Sequence, residues 1–136
     1  MKTDLDYLKK LIDAFEDAPA PYTDIDELSE AGLDYRSDQF VFHMNILEDQ
    51  RFIERDDHRP GYGMVLSADR MQSWSVIPLR LTAGGHQFAE ALRNKGVFAQ
   101  LKKSFAEAGP KTLVSVSLEL LAGFTKQQIK AALGGG

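Results

Sequence analysis

Leu5, Leu8, Leu11, Ile12 and Phe15 return every three or four residues, the spacing that lines one face of an α-helix. Thr3 followed by Asp6 makes a capping-box-like start, so the pattern predicts an amphipathic helix over 4–17. Pro19 and Pro21 interrupt the chain, and Thr23 with Asp26 repeats the cap signal ahead of Ile25 and Leu28. A short helix over 24–31 is expected there, ending at Gly32, which is free to take the left-handed conformation of a helix C-terminus. Ser37 is placed to cap a third helix over about 38–50, with Asp38 in its first turn.

From Arg51 the apolar period falls from 3.6 to 2. Residues 51–55 read as a strand, DDHRPG as a turn-rich tip, 62–66 as the return strand and 74–79 as a further strand with ADRMQS between the last two, and Pro78 is confined to an edge. Thr82 caps a fourth helix through Phe88 and Leu92, and Val97, Leu101 and Phe105 mark a fifth that Gly109 and Pro110 stop. Leu113, Val116, Ser117, Leu120 and Leu121 mark a sixth; Thr125 with Gln128 predicts a restart that frays over 134–136. Three helices, a ribbon and more helix is the order of a winged helix-turn-helix. The expected fold is therefore α+β, with a winged-helix core over 1–80 and a helical C-terminal extension over 81–136 packed on it as one domain.

Composition narrows the chemistry. The 136 residues suit one hydrophobic core, and the absence of Cys excludes disulfides, thiolate catalysis and Cys-ligated metals. Asp4 and Asp6 stand where a signal peptide needs an apolar stretch and no long apolar run follows, which points to a cytoplasmic protein. The net charge of −4 is unevenly spread: residues 1–50 hold 13 acids and 4 bases (−9), residues 51–80 hold 4 and 5 (+1), and residues 81–136 hold 3 and 7 (+4). An acidic first part and a basic last part suit self-association or a mixed protein partner better than a phosphate backbone.

FVFHMNILEDQRFIER resembles the recognition helix and first wing strand of bacterial winged-helix repressors, with His43, Met44, Leu47 and Phe52-Ile53 in the matching places. It departs from them at Arg51, where those repressors usually have glycine. RLTAGGHQFAEALRN is similar to the Leu-Thr-x-x-Gly helix after the wing. Together with the Lys-x-Asp-Leu-Asp opening and the Leu-rich last helix, these stretches most resemble domain of unknown function 2513, a family of small bacterial and prophage proteins. The resemblance implies a winged helix and a mobile-element context and hands over no catalytic residue.

On the third helix Phe40, Met44 and Leu47 centre the apolar face, with Val41 and His43 flanking it. The opposite face carries Asp38, Gln39, Phe42, Asn45, Ile46 and Asp49. A helix reading the major groove needs cations for phosphates, and this face has none. Asp38, Phe42, Ile46 and Asp49 are therefore the candidate protein-binding residues, the pair Phe42 and Ile46 being an apolar patch that something must cover. The alternative is a DNA-binding regulator using Gln39 and Asn45 for adenine edges and Arg51, Arg55 and Arg59 of the wing for phosphates. Lys95, Lys102, Lys103 and Lys111 form a basic stripe without interleaved aromatics.

Asp56, Asp57 and His58 are adjacent, but successive residues in a turn point apart, so a solvated wing is the expected reading and no metal or other cofactor is implied. His43 is expected to be a hydrogen-bonded core imidazole. These features lead us to expect a non-enzymatic binding module, prophage-associated and acting on a host protein such as a defence component. A homodimer through Leu113, Val116, Leu120 and Leu121 is expected, with packing of that helix on the first helix as the alternative.

Overall fold

A computed structural model describes the backbone of residues 1–105 and 107–132, and side chains through residue 124. Six helices and two small antiparallel sheets alternate in an α+β arrangement: α1 Leu5–Asp17, α2 Ile25–Glu30, α3 Asp38–Asp49, β1 Ile53–Arg55, β2 Met64–Leu66, β3 Gln72–Trp74, β4 Leu79–Leu81, α4 Ala83–Arg93, α5 Lys95–Ser104 and α6 Pro110–Ala132. None of these helices is long and apolar enough to cross a membrane.

Side-chain caps set the helix starts. The side chains of Ser37, Thr82 and Asn94 accept from the amides of Phe40, Gly85 and Val97 three residues on. The first two caps fall one residue later than the sequence pattern suggests: Asp4 and Asp24 accept from Tyr7 and Glu27. Thr23 is unavailable as a cap because its backbone exchanges two 2.8 Å hydrogen bonds with Leu79, while its hydroxyl donates to Glu27.

The ends of α2 and α3 share one device. Leu33 N–H returns to Leu28 and Gly32 N–H to Ser29; Phe52 N–H returns to Leu47 and Arg51 N–H to Glu48. Both pairs are the two backward bonds of a Schellman termination, whose intervening residue must be left-handed. Gly32 takes φ +91 without strain, but Arg51 takes φ +58, a conformation that costs a non-glycine residue about 1–2 kcal/mol. Arg51 and Phe52 thus belong to the helix terminus, and β1 begins only at Ile53, two residues after the expected start.

The ribbon also differs from expectation. β1 pairs with β4, placing Ile53 opposite Leu81 and Arg55 opposite Leu79. β2 pairs with β3, placing Met64 opposite Trp74, and the hairpin turn is at 67–70, not at DDHRPG. Bonds from Asp56 N–H to Pro78 O and from Ser75 N–H to Gly63 O join the two ladders into one long arm. Eight residues, 56–63, face four, 75–78, between the ladders, so the surplus loops out and the ladder cannot run unbroken. That surplus, with Pro78 lacking an N–H, splits the expected strand 74–79 into the end of β3 and the start of β4.

One hydrophobic cluster joins the segments: Leu11 and Ile12 of α1, Phe40, Met44 and Leu47 of α3, Leu79 of β4, Phe88 and Leu92 of α4, and Leu101 of α5 are all at most 1% exposed. α6 packs on α4 and α5 rather than on α1. Leu113 is buried in this packing, and Val116, Leu120 and Leu121 lie partly buried against the core, each keeping some exposed surface. The helix continues through Thr125 without restarting, because Pro110 at its first turn already supplies a start and nothing after it removes a hydrogen bond. Residues 134–136, expected to fray, lie outside the described residues.

α4 is seated directly on the end of α3. Thr82 N–H donates to Phe52 O at 2.9 Å, and the Thr82 hydroxyl donates to Arg51 O at 2.7 Å. A Cβ on Gly85 would lie 2.2 Å from Phe52 O, whereas on Gly84 its nearest neighbour would be the Phe52 ring at 3.6 Å. Gly85→Ala is therefore expected to destabilise by about 1–3 kcal/mol through overpacking against backbone. Gly84→Ala should be neutral or stabilise by up to about 1 kcal/mol. Thermal unfolding of the two variants checks this, and equal shifts would contradict the seating.

Candidate functional site

Three parts of the chain enclose α3. Its central face, Phe40, Met44 and Leu47, is fully buried. On one flank the start of α1 reaches it through His43, whose Nε2 accepts from the Asp4 amide at 2.9 Å while Nδ1 donates to Gln39 O at 2.7 Å. On the other flank the ribbon reaches it: Tyr62 Oη donates to Asn45 Oδ1 at 2.7 Å, and the Gly61 amide donates to Glu48 Oε1 at 3.0 Å. Burial raises the Tyr62 hydroxyl pKa well above its ordinary value, with Glu48 and Asp49 adding to the effect, so it remains a donor at any physiological pH.

The double covering widens the buried arc. Ile46, expected on the exposed face as an interface residue, is only 7% exposed. It lies on the His43 flank, about 60° round the helix from that ring at 100° per residue. What remains is a narrow ridge of exposed Asp38, half-buried Phe42, exposed Asn45 and exposed Asp49. Phe42 packs edge-on against His43 with ring centroids 5.1 Å apart, which holds it in place on the ridge.

The amides proposed as base readers are engaged within the chain. Asn45 gives its carbonyl oxygen to Tyr62, and Gln39 donates to Asp4 Oδ2 at 3.4 Å. Bidentate adenine recognition needs both ends of the amide, so Asn45 would first have to release Tyr62. Of the ribbon arginines, Arg55 is held by Asp57 in a two-pronged pair at 2.6 and 2.9 Å, which also keeps the Asp57 carboxyl below the usual carboxylate range.

Arg51 and Arg59 are exposed, and among the described residues neither has a carboxylate within salt-bridge distance. Both line a cavity of about 490 Å³ between the end of α3 and the 56–61 loop, with Glu48, Glu54 and His58. Glu54 pairs with His58 and, directly across the ladder, with Arg80 at 3.0 Å. Asp57 and His58 thus turn to different partners. In the last helices, Lys102 of the basic stripe pairs with Asp6 at 3.0 Å.

Sequence reasoning missed one surface. The β2–β3 hairpin and its return carry exposed Val65, Leu66, Met71 and Val76. The signal was present in Met64, Val65 and Leu66, three consecutive apolar residues where a one-sided strand alternates.

His43 is locked in one tautomer: a backbone N–H points at Nε2, and a second proton there would break that bond. Burial lowers its pKa below the ordinary value of 6.5, although the Gln39 carbonyl and Asp4 oppose the effect. The folded value is below the unfolded one, so the neutral ring's contribution is full above about pH 6.5. It is lost as pH falls through the depressed folded value. His43→Gln is expected to be less stable than wild type at neutral pH and to lose less stability on acidification. Thermal midpoints between neutral and mildly acidic pH check this; parallel curves would contradict it.

Comparison with known proteins gives the chain a family but no activity. No curated protein and no solved structure matches it. A family described as "Hypothetical protein (DUF2513)" matches residues 2–111, a span that includes α1 through α5, the ribbon and the ridge of α3. The chain belongs to this family, domain of unknown function 2513.

Proposed function

We propose that the chain is a non-enzymatic, protein-binding module on a winged-helix core, and that its binding face is the ridge of α3. Support for the winged-helix assignment comes from the bridge between Thr23 and Leu79. It gives the chain a one-residue strand between α1 and α2, lying against β4, which in turn pairs with β1. Helix, short strand, two helices and a returning ribbon follow in the order that places a third helix outward beside a wing.

The character of the ridge carries the functional reading. Asp38 and Asp49 flank Phe42 with no cation among them, a pattern that repels a phosphate backbone and suits a partner offering a basic rim around an apolar socket. Phe42, held on His43, is an anchor that loses little side-chain freedom on binding. DNA binding is the second reading, favoured by Arg51 and Arg59, which make no salt bridge among the described residues and line one cavity of the ribbon together with Glu48 and Glu54.

Capture from a nuclease-treated lysate of the native host separates the two. Wild-type chain and the Arg51→Ala/Arg59→Ala variant should retain one and the same protein, while Phe42→Asp, folded by circular dichroism, should lose it. Retention by Phe42→Asp, or loss only in the arginine variant, would overturn the reading.

A further inference from the structure

Four of the six large hydrophobic side chains exposed among the described residues lie on the arm formed by the β2–β3 hairpin and its return: Val65, Leu66, Met71 and Val76, each 52–67% exposed. The arm's base is fixed, with Trp74 packed 4.9 Å from the Tyr35 ring and edge-on to Phe40. Beyond that anchor, adjacent strand residues point to opposite faces, so Val65 and Leu66 put one exposed apolar side chain on each face, opposite Ser73 and Gln72. At its turn stands Arg70, exposed, held at φ +64 and without a carboxylate partner among the described residues, while the adjacent Asp69, also exposed, is engaged by the Ser67 hydroxyl and the Met71 amide. The arm therefore presents a cation between apolar flanks.

The chain also carries the complementary surface. Between α1 and α2 lies a groove of about 510 Å³ with Ala14, Ala18, Leu28 and Leu33 among its lining. Its charged rim is Asp13, Asp17, Glu27 and Glu30 against Lys10, four acids to one base. Lys9 pairs with Asp13 and Thr23 donates to Glu27, while Asp17 and Glu30 have no cation within salt-bridge distance among the described residues. No arm residue lines the groove of its own chain.

We propose that the arm of one copy docks in the α1–α2 groove of a second, Arg70 between Asp17 and Glu30, and that two copies do so reciprocally. A two-fold dimer built this way buries both an arm and a groove of each chain. It covers the apolar side chains that a solitary protein rarely displays together. Charge complementarity selects the occupant: the groove takes an apolar segment with one cation, and the arm is such a segment. The ridge of α3 takes no part, so this association and the partner reading stand or fall separately.

Sedimentation velocity over a concentration series, with the full chain, tests the proposal. Wild type should reach twice the monomer mass, with association weakening as salt rises. Arg70→Glu and the pair Asp17→Lys/Glu30→Lys should each raise the dissociation constant by about tenfold or more while leaving thermal midpoints unchanged at concentrations where the wild type is monomeric. Mixing these two variants in equal amounts restores the dimer, since one site keeps the native pair and the other carries it reversed. A wild-type monomer at every concentration, a dimer indifferent to Arg70→Glu, loss caused only by Leu120→Asp on α6, or failure of the mixture to associate would each overturn it. So would a groove that prefers a foreign basic peptide and leaves the chain monomeric.

Discussion

The backward turn at the end of α3 is the constraint on which the rest of the molecule depends. Phe52 N–H must return to Leu47 for the helix to stop, and that bond leaves Arg51 and Phe52 with carbonyls directed at the next segment. Thr82 takes both, one with its amide and one with its hydroxyl, and α4 starts there because the same hydroxyl caps it at Gly85. The Phe52 ring then stacks on Phe88 with centroids 5.0 Å apart. One termination therefore sets the direction of β1, the start of α4 and the packing between them. The left-handed Arg51 is tolerated because the surrounding bonds over-determine it.

From that junction the form of the candidate site follows. β1 leaves α3 in a direction that brings the ribbon back along it, so Tyr62 reaches Asn45; α1, packed on α4, brings Asp4 to His43 from the other side. Each contact satisfies a buried polar group and also removes part of α3 from use. A helix enclosed on both flanks offers a partner only its outermost ridge, and the ridge here is acidic with one aromatic anchor. The charged groups that could meet an anion, Arg51 and Arg59, lie beyond the helix and not on it.

Much of this was legible in the chain because helices declare themselves locally. The 3.6-residue recurrence from Leu5 to Phe15, the serine at 37 and the glycine at 32 each act within a few residues, and their elements formed where those signals place them. The ribbon was less legible: two candidate strands say nothing of their partner, and the surplus loop 56–63 diverted β1 from the adjacent β2 to the distant β4. Ile46 was misplaced for a related reason. Helical periodicity reports the face turned to the main core, not how far burial extends onto a flank. α6 looked unpartnered because α4 and α5, which cover it, were each read as complete helices on their own.

The central proposal is that α3 presents a face that duplex DNA does not accept. Titration of random and native-host genomic duplexes across a salt series tests it most directly. Ordinary DNA readers bind non-specifically with dissociation constants of about 10⁻⁴–10⁻⁶ M at physiological salt through phosphate neutralisation. The account predicts binding at or beyond the weak end of that range, with no sequence preference. Sub-micromolar, sequence-specific binding at physiological salt, with a salt slope that falls by about one on Arg51→Ala or Arg59→Ala, would contradict it.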